Sequence, residues 1–264
     1  MSRGAKAEPA APERRACHAA RRRVSCGCMV TAPLLDIAAV TPRSRLLVVD
    51  LSARTVGFQA GQAVLIGWHG DSERRPYSIA CSPEVAAEQA RLELLISLDA
   101  PGEIARRLPT ATRGTLVDLE GPLGTFVFPE RPDQQHLLFV AGGTGIAPLR
   151  AMIDHAIRHH EDAQLSLLYS VRRPDEFAFL DDLRRHERDG RLELHVTVTR
   201  DDGDSTWAGG RGRIGRSHFE HVLHEPADTL CFVCGPPPMV AESVATLKLF
   251  GVPEAQIRTE GWTR

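Results

Sequence analysis

"FVAGGTGIAPLRAMI", residues 139–153, runs from an apolar segment through Gly142-Gly143-Thr144-Gly145 into a Pro-led stretch with helical spacing. A strand that stops at a glycine-rich turn and restarts as a helix leaves backbone N–H groups pointing into open space beside the positive end of the helix dipole. Such a turn is shaped for an anion, most often a phosphate. Upstream, "HLLFVA" is a continuous apolar run; downstream, Leu149, Met152, Ile153, Ala156 and Ile157 fall on one helical face. Further apolar runs follow in "LSLLYS", "LELHVTV", "TLCFVC" and "QIRTEGW", with amphipathic stretches among them, "DEFAFLDDLRRH" and "MVAESVATLKLF" included. Strands buried on both faces and alternating with helices predict a doubly wound parallel sheet over 132–264.

The preceding residues obey a different grammar. From 30 to 131 the chain shows short β-rich runs, "RLLVVDLS", "AVLIGW", "YSIAC", "LELLISL" and "TLVDLEG", separated by Gly, Pro and charged turns. Many short strands without long helices between them predict an antiparallel barrel or sandwich. The one helical piece expected there is "EIARRL" after Pro101-Gly102. A chain of 264 residues has room for these two domains. Residues 1–29 are rich in Ala and Arg and aperiodic, and read as a disordered leader, with a targeting segment or an upstream extension preceding a start at Met29 as the alternatives.

Composition narrows the function. Residues 1–28 hold seven Lys/Arg against two Asp/Glu, which leaves the remainder at a net charge of -7 and argues against nucleic acid as a partner. Without a stretch approaching ~18 apolar residues, no membrane span is expected, and the cytoplasm is the default location. The six cysteines form no disulfide framework. Cys231 and Cys234 spell C-x-x-C, but strand alternation sends their sulfurs to opposite faces. No plant-type C-x4-C-x2-C run is present, so any such iron–sulfur centre is expected on another protein. Among the eleven histidines, His218, His221 and His224 are spaced so that the outer pair diverges by ~120° on a helix, and no metal site is expected.

Three segments fall at strand ends of the second half: Gly142 to Pro148, Ser170 to Arg173, and Cys234 to Met239. Ligands of doubly wound sheets bind beyond the carboxyl ends of the strands, so all three can meet one ligand. "CGPPPM" offers a stiff proline ledge for a planar ring. In the first half, "RPYS" supplies a guanidinium for a phosphate, an aromatic face for a flat heterocycle and a hydroxyl donor.

In this order and across this change from β to α/β, "RPYS", "GPLG" (121–124), "AGGTGIAP" and "CGPPPM" resemble the ferredoxin-NADP reductase family of FAD-binding oxidoreductases, over residues 32 to 264. The resemblance implies a flavin between a flavin-binding barrel and a pyridine-nucleotide domain. It implies Tyr77 against the isoalloxazine, Ser78 near its N5, and Arg75, following into Pro76, on the phosphate. Gly143, Thr144, Gly145, Cys234, Gly235, Pro236 and Met239 become nucleotide-binding residues, with Cys234 beside the nicotinamide. Glu260 in the terminal "TEGW" becomes a proton or charge partner of the flavin, and Trp262 a cover for its ring. One departure from the family is Gly102-Glu103-Ile104-Ala105, where many relatives carry a Ser or Thr at the fourth position. The N–H groups of Ile104 and Ala105 at a helix start remain for the phosphate. FAD is expected, with FMN the alternative.

The implied activity takes a hydride from NAD(P)H onto the flavin and passes electrons to a separate acceptor protein: a ferredoxin, a flavodoxin or an oxygenase component. Competing readings are a free-flavin or quinone reductase and a non-catalytic relay or regulatory subunit. Ser170, Arg172 and Arg173 stand at the end of the second parallel strand, where an acidic residue would repel a 2′-phosphate. A hydroxyl and guanidinium groups suit that phosphate, so NADPH is expected over NADH.

Overall fold

The computed structural model describes residues 22–24, 29–200 and 206–261. Its first half carries β1 (Arg22–Val24), β2 (Val30–Thr41), β3 (Ser44–Asp50), β4 (Arg54–Val56), β5 (Ala63–Trp68), β6 (Arg75–Ser78), α1 (Pro83–Gln89), β7 (Arg91–Ser97), α2 (Glu103–Arg107) and β8 (Leu116–Leu123). Six of these strands form an antiparallel sheet in the order β6-β5-β8-β2-β3-β7. An Ile79 to Leu94 bridge, with Ala80 N–H donating to the Glu93 carbonyl at 2.8 Å, joins the two outer strands and closes the barrel. Inside lie Leu34, Leu47, Val49, Ile66, Trp68, Leu92, Leu94 and Ile96, the inward members of alternating strands. Within the leader, residues 22–24 pair in parallel with β4.

One expectation needs correcting. The first half has a second helix, α1, which hydrophobic periodicity misses because it spans only seven residues. Its start is nevertheless written locally: Ser82 accepts from the Val85 N–H at 3.3 Å, and Pro83 opens the first turn. The run "YSIAC" changes partner midway: β6 ends at Ser78, and Ile79 and Ala80 pair with β7.

The second half carries β9 (His136–Gly142), α3 (Ile146–His159), β10 (Gln164–Val171), α4 (Leu180–Arg188), β11 (Glu193–Val198), β12 (Gly210–Arg211), α5 (Arg216–Val222), β13 (Thr229–Gly235), α6 (Pro237–Leu249) and β14 (Ile257–Gly261). All six strands are parallel, in the order β12-β11-β10-β9-β13-β14. The chain winds one way from β9 and the other way through β13, so the switch point lies between Gly142 and Gly235. Cys231 and Cys234 face opposite cores, as alternation requires. No helix among the described residues is long and apolar enough to cross a membrane.

The two halves share a core. Phe126 and Phe128, which follow the barrel, pack with Phe139 and Phe232 of the parallel sheet, and Phe128 stacks on Phe232 at 5.6 Å.

Candidate active site

A cavity of about 740 Å³ opens where the halves meet. From the barrel it is lined by Arg75, Pro76, Tyr77 and Ser78 of β6 and by the loop Asp99 to Pro101; from the parallel half by Gly142 to Gly145, Ser170, Arg172 and the proline ledge Gly235 to Met239. Most of the residues singled out in sequence therefore converge on one cleft.

The switch point explains the glycines. A Cβ on Gly145 would strike the Cys234 carbonyl, and one on Gly235 would come within 3.0 Å of the Gly142 Cα. The ends of β9 and β13 thus lie backbone to backbone, with Met239 packed over both. Gly143, at φ +57°, turns the chain from β9 into a short 3-10 turn that leads into α3.

Ser78, Glu260 and Cys234, from β6, β14 and β13, form a cluster. The Ser78 hydroxyl donates to Glu260 Oε2 at 3.2 Å, and the Cys234 thiol reaches the same oxygen at 3.9 Å. Ser78 lines the cavity; Cys234 is fully buried behind it, and Glu260 is half-buried. The register of β13 with β14 places Cys234 directly opposite Glu260. The other two buried thiols are unlike it in setting: burial pushes Cys81 and Cys231 up to about 12, which leaves them inert.

The Tyr77 hydroxyl is buried with no hydrogen-bond partner, although its ring lines the cavity. Burial raises its pKa, with the Arg75 charge pulling the other way. An orphaned donor on an aromatic wall fits a polar, planar occupant such as a flavin. Gly102, at φ +106°, does not line the cavity but packs against Arg75, since a Cβ there would run into the guanidinium. Arg75 Nε donates to Glu73 Oε1 at 2.7 Å, and the other oxygen of Glu73 accepts from the Glu103 N–H at 3.2 Å. These bonds hold the Glu73 carboxyl below its usual range. Ile104 and Ala105 follow with their side chains in the barrel core, so neither lines the cavity.

At the far end, Ser170 and Arg172 line the cavity together with Thr199 and Arg213, two residues that sequence reasoning missed. Arg173 points to Asp175, 3.8 Å away, and Glu176 lies 3.9 Å from Arg43 of the barrel half. Among the described residues no carboxylate pairs with Arg172. Trp262 lies outside the described residues.

Comparison with known proteins agrees with this geometry. Residues 31–128 match the oxidoreductase FAD-binding domain, and residues 139–244 the oxidoreductase NAD-binding domain. The chain is 28% identical over 255 residues to oxidoreductase NAD-binding domain-containing protein 1 of Danio rerio, covering 89% of this chain and 92% of that one. It is 32% identical over 166 residues to methane monooxygenase component C of Methylosinus trichosporium, covering 62% of this chain and 46% of that protein. It spans about half the length of several such relatives. The solved structure of the ferredoxin reductase in carbazole 1,9a-dioxygenase superposes with a TM-score of 0.79 at 26% identity, covering 89% of this chain and 70% of that one. With a closed antiparallel barrel matching the FAD-binding domain, a parallel sheet matching the NAD-binding domain and a cleft lined by both, the chain belongs to the ferredoxin reductase-like, NAD(P)H-dependent flavin oxidoreductases.

Proposed function

We propose that this flavoenzyme oxidises NADPH and delivers the electrons to a separate acceptor protein, an iron–sulfur protein or oxygenase component, in the cytoplasm. The flavin, when bound, supplies hydride acceptance from the nicotinamide and one-electron release to the acceptor. In this reading residues 30–131 hold the flavin and residues 132–264 the nucleotide. Tyr77 covers the ring and finds a partner for its hydroxyl, Arg75 carries the phosphate end, and the Gly143 to Gly145 turn faces the nucleotide diphosphate. Ser78 Oγ stands between the cavity and Glu260 Oε2, so the hydroxyl can relay a proton inward to the Glu260 carboxylate or, once that carboxyl is protonated, outward to the cavity. Cys234, held against that carboxylate, limits how closely the nicotinamide side of the cleft can pack.

The observation that carries the reading is the single carboxylate oxygen shared by Ser78 and Cys234 at the junction of the two halves. A protein acceptor is supported by the relatives, one a component of methane monooxygenase and one the reductase of a carbazole dioxygenase. NADPH is supported by Arg172 and Arg213 beside Ser170.

The test is anaerobic stopped-flow reduction of the flavin-loaded protein by NADPH and NADH, followed by reoxidation with ferricyanide, free flavin or a [2Fe–2S] ferredoxin. NADPH is expected to reduce faster, and Arg172→Ala to cut kcat/KM for NADPH at least tenfold, from a charge-assisted bond of ~1.5–3 kcal/mol, while leaving NADH nearly unchanged. A preference for NADH overturns the nucleotide assignment. Turnover of free flavin that rivals every protein acceptor replaces the reading with a flavin reductase.

A further inference from the structure

On the outer side of the junction, away from the cleft, Glu84 of α1 meets two histidines of α3. His155 and His159 are four residues apart and so share one helix face. His155 Nδ1 and His159 Nε2 each lie 3.0 Å from the same oxygen, Glu84 Oε1, and the three atoms all fall within 4.8 Å of one another. The second carboxylate oxygen, Oε2, is buried and has no hydrogen-bond partner. Two imidazole nitrogens from one helix thus converge on a single carboxylate oxygen from the other.

We propose that Glu84, His155 and His159 form a binding site for one zinc ion that ties the barrel to the parallel half. Two imidazole nitrogens and a carboxylate oxygen are a zinc donor set, with a fourth position left for water. Bonds of about 2.0–2.1 Å in a tetrahedral site put ligand atoms roughly 3.3 Å apart, so the two contacts at 3.0 Å open by about 0.3 Å while the two nitrogens, within 4.8 Å of each other, close toward the same spacing. The nitrogen ligands select against magnesium and calcium. Phe128 packs edge-on against the His155 ring at 5.4 Å and fixes its orientation. The His159 side chain is 49% exposed, which gives the ion a way in. The site stands ten residues along α3 from Gly145, about 15 Å at a helical rise of about 1.5 Å per residue, so the ion takes no part in the flavin chemistry. Its work is mechanical: Arg158 and Glu88, 2.7 Å apart, already join the same two helices, and the ion adds a bond between elements 71 positions apart.

The test uses the flavin-loaded full chain with Cys17, Cys26 and Cys28 replaced by serine, so that leader thiols cannot hold the metal. After chelation and dialysis, zinc is titrated calorimetrically and thermal unfolding is followed with and without it. One equivalent is expected to bind and to raise Tm by several degrees, because the ion binds the folded state. His159→Ala and Glu84→Gln are each expected to weaken binding at least tenfold and abolish the shift, whereas His218→Ala leaves both unchanged. Absence of saturable binding, or binding indifferent to His159→Ala, overturns the proposal.

Discussion

Cys234 shows how position decides the role of a thiol. It sits one register step from the Gly235 turn, opposite Glu260, and its neighbour three residues earlier faces another core altogether. Replacing sulfur by the smaller hydroxyl keeps a donor for Glu260 but changes the packing behind the cleft. Cys234→Ser is therefore expected to slow flavin reduction at saturating NADPH at least fivefold with little change in nucleotide affinity, since only a contact realised in the transition state separates the two. Equal losses in rate and affinity would make the thiol a packing residue. Arg75, Tyr77 and Ser78 were legible because four adjacent residues carry a guanidinium, a ring and a hydroxyl. Glu73, Thr199 and Arg213 were not, because their part depends on loops brought together from distant positions, and no local pattern records that.

Among the elements, β9, its glycine turn and α3 could be read directly, since seven consecutive buried residues and an amphipathic helix leave one solution. α1 could not, being too short for a period to emerge. β9 also starts on an unusual residue. His136 is buried, with Nδ1 3.1 Å from the Thr229 hydroxyl and Nε2 2.9 Å from the Ser166 hydroxyl, which links β9 to both neighbouring strands. Burial lowers its pKa, against a smaller opposing pull from Glu193. The folded protein thus keeps His136 neutral at pH values where the unfolded chain is protonated. No penalty exists well above pH 6.5; one grows as pH falls through that value and levels off below the folded pKa. His136→Gln is expected to flatten the fall in Tm between pH 7.5 and 5. A slope equal to wild type would assign the acid sensitivity to His160 and His218, whose pKa values burial lowers likewise.

For the whole molecule, the change of grammar near residue 131 falls between β8 and β9 but hides how closely the two sheets are joined. Arg150, in the middle of α3, donates to the Ala80 carbonyl at 2.8 Å and to Glu93 at 2.7 Å, both in the barrel half, and lies over the Phe179 ring at 4.3 Å. Glu93 is 2% exposed. Losing the arginine strands a buried carboxylate with only Arg91 beside it, 2.6 Å away, at a cost of about 3 kcal/mol. Calorimetry of the wild type is expected to show one cooperative transition across both halves; Arg150→Ala is expected to lower Tm and split it into two. An unchanged single transition would assign the coupling to the stacked Phe128 and Phe232 instead.

The bonds of Arg150 also bear on how the cleft is used. α3 begins at the glycine turn and is clamped along its flank to β7 and to the residues that follow β6, so the turn cannot move outward without dragging the barrel with it. The span between the two binding ends of the cleft is then a length set at folding, like the gap of a caliper locked before use. Flavin reduction within the bound nucleotide complex is then expected to be insensitive to solvent viscosity, which stopped-flow traces in sucrose solutions check.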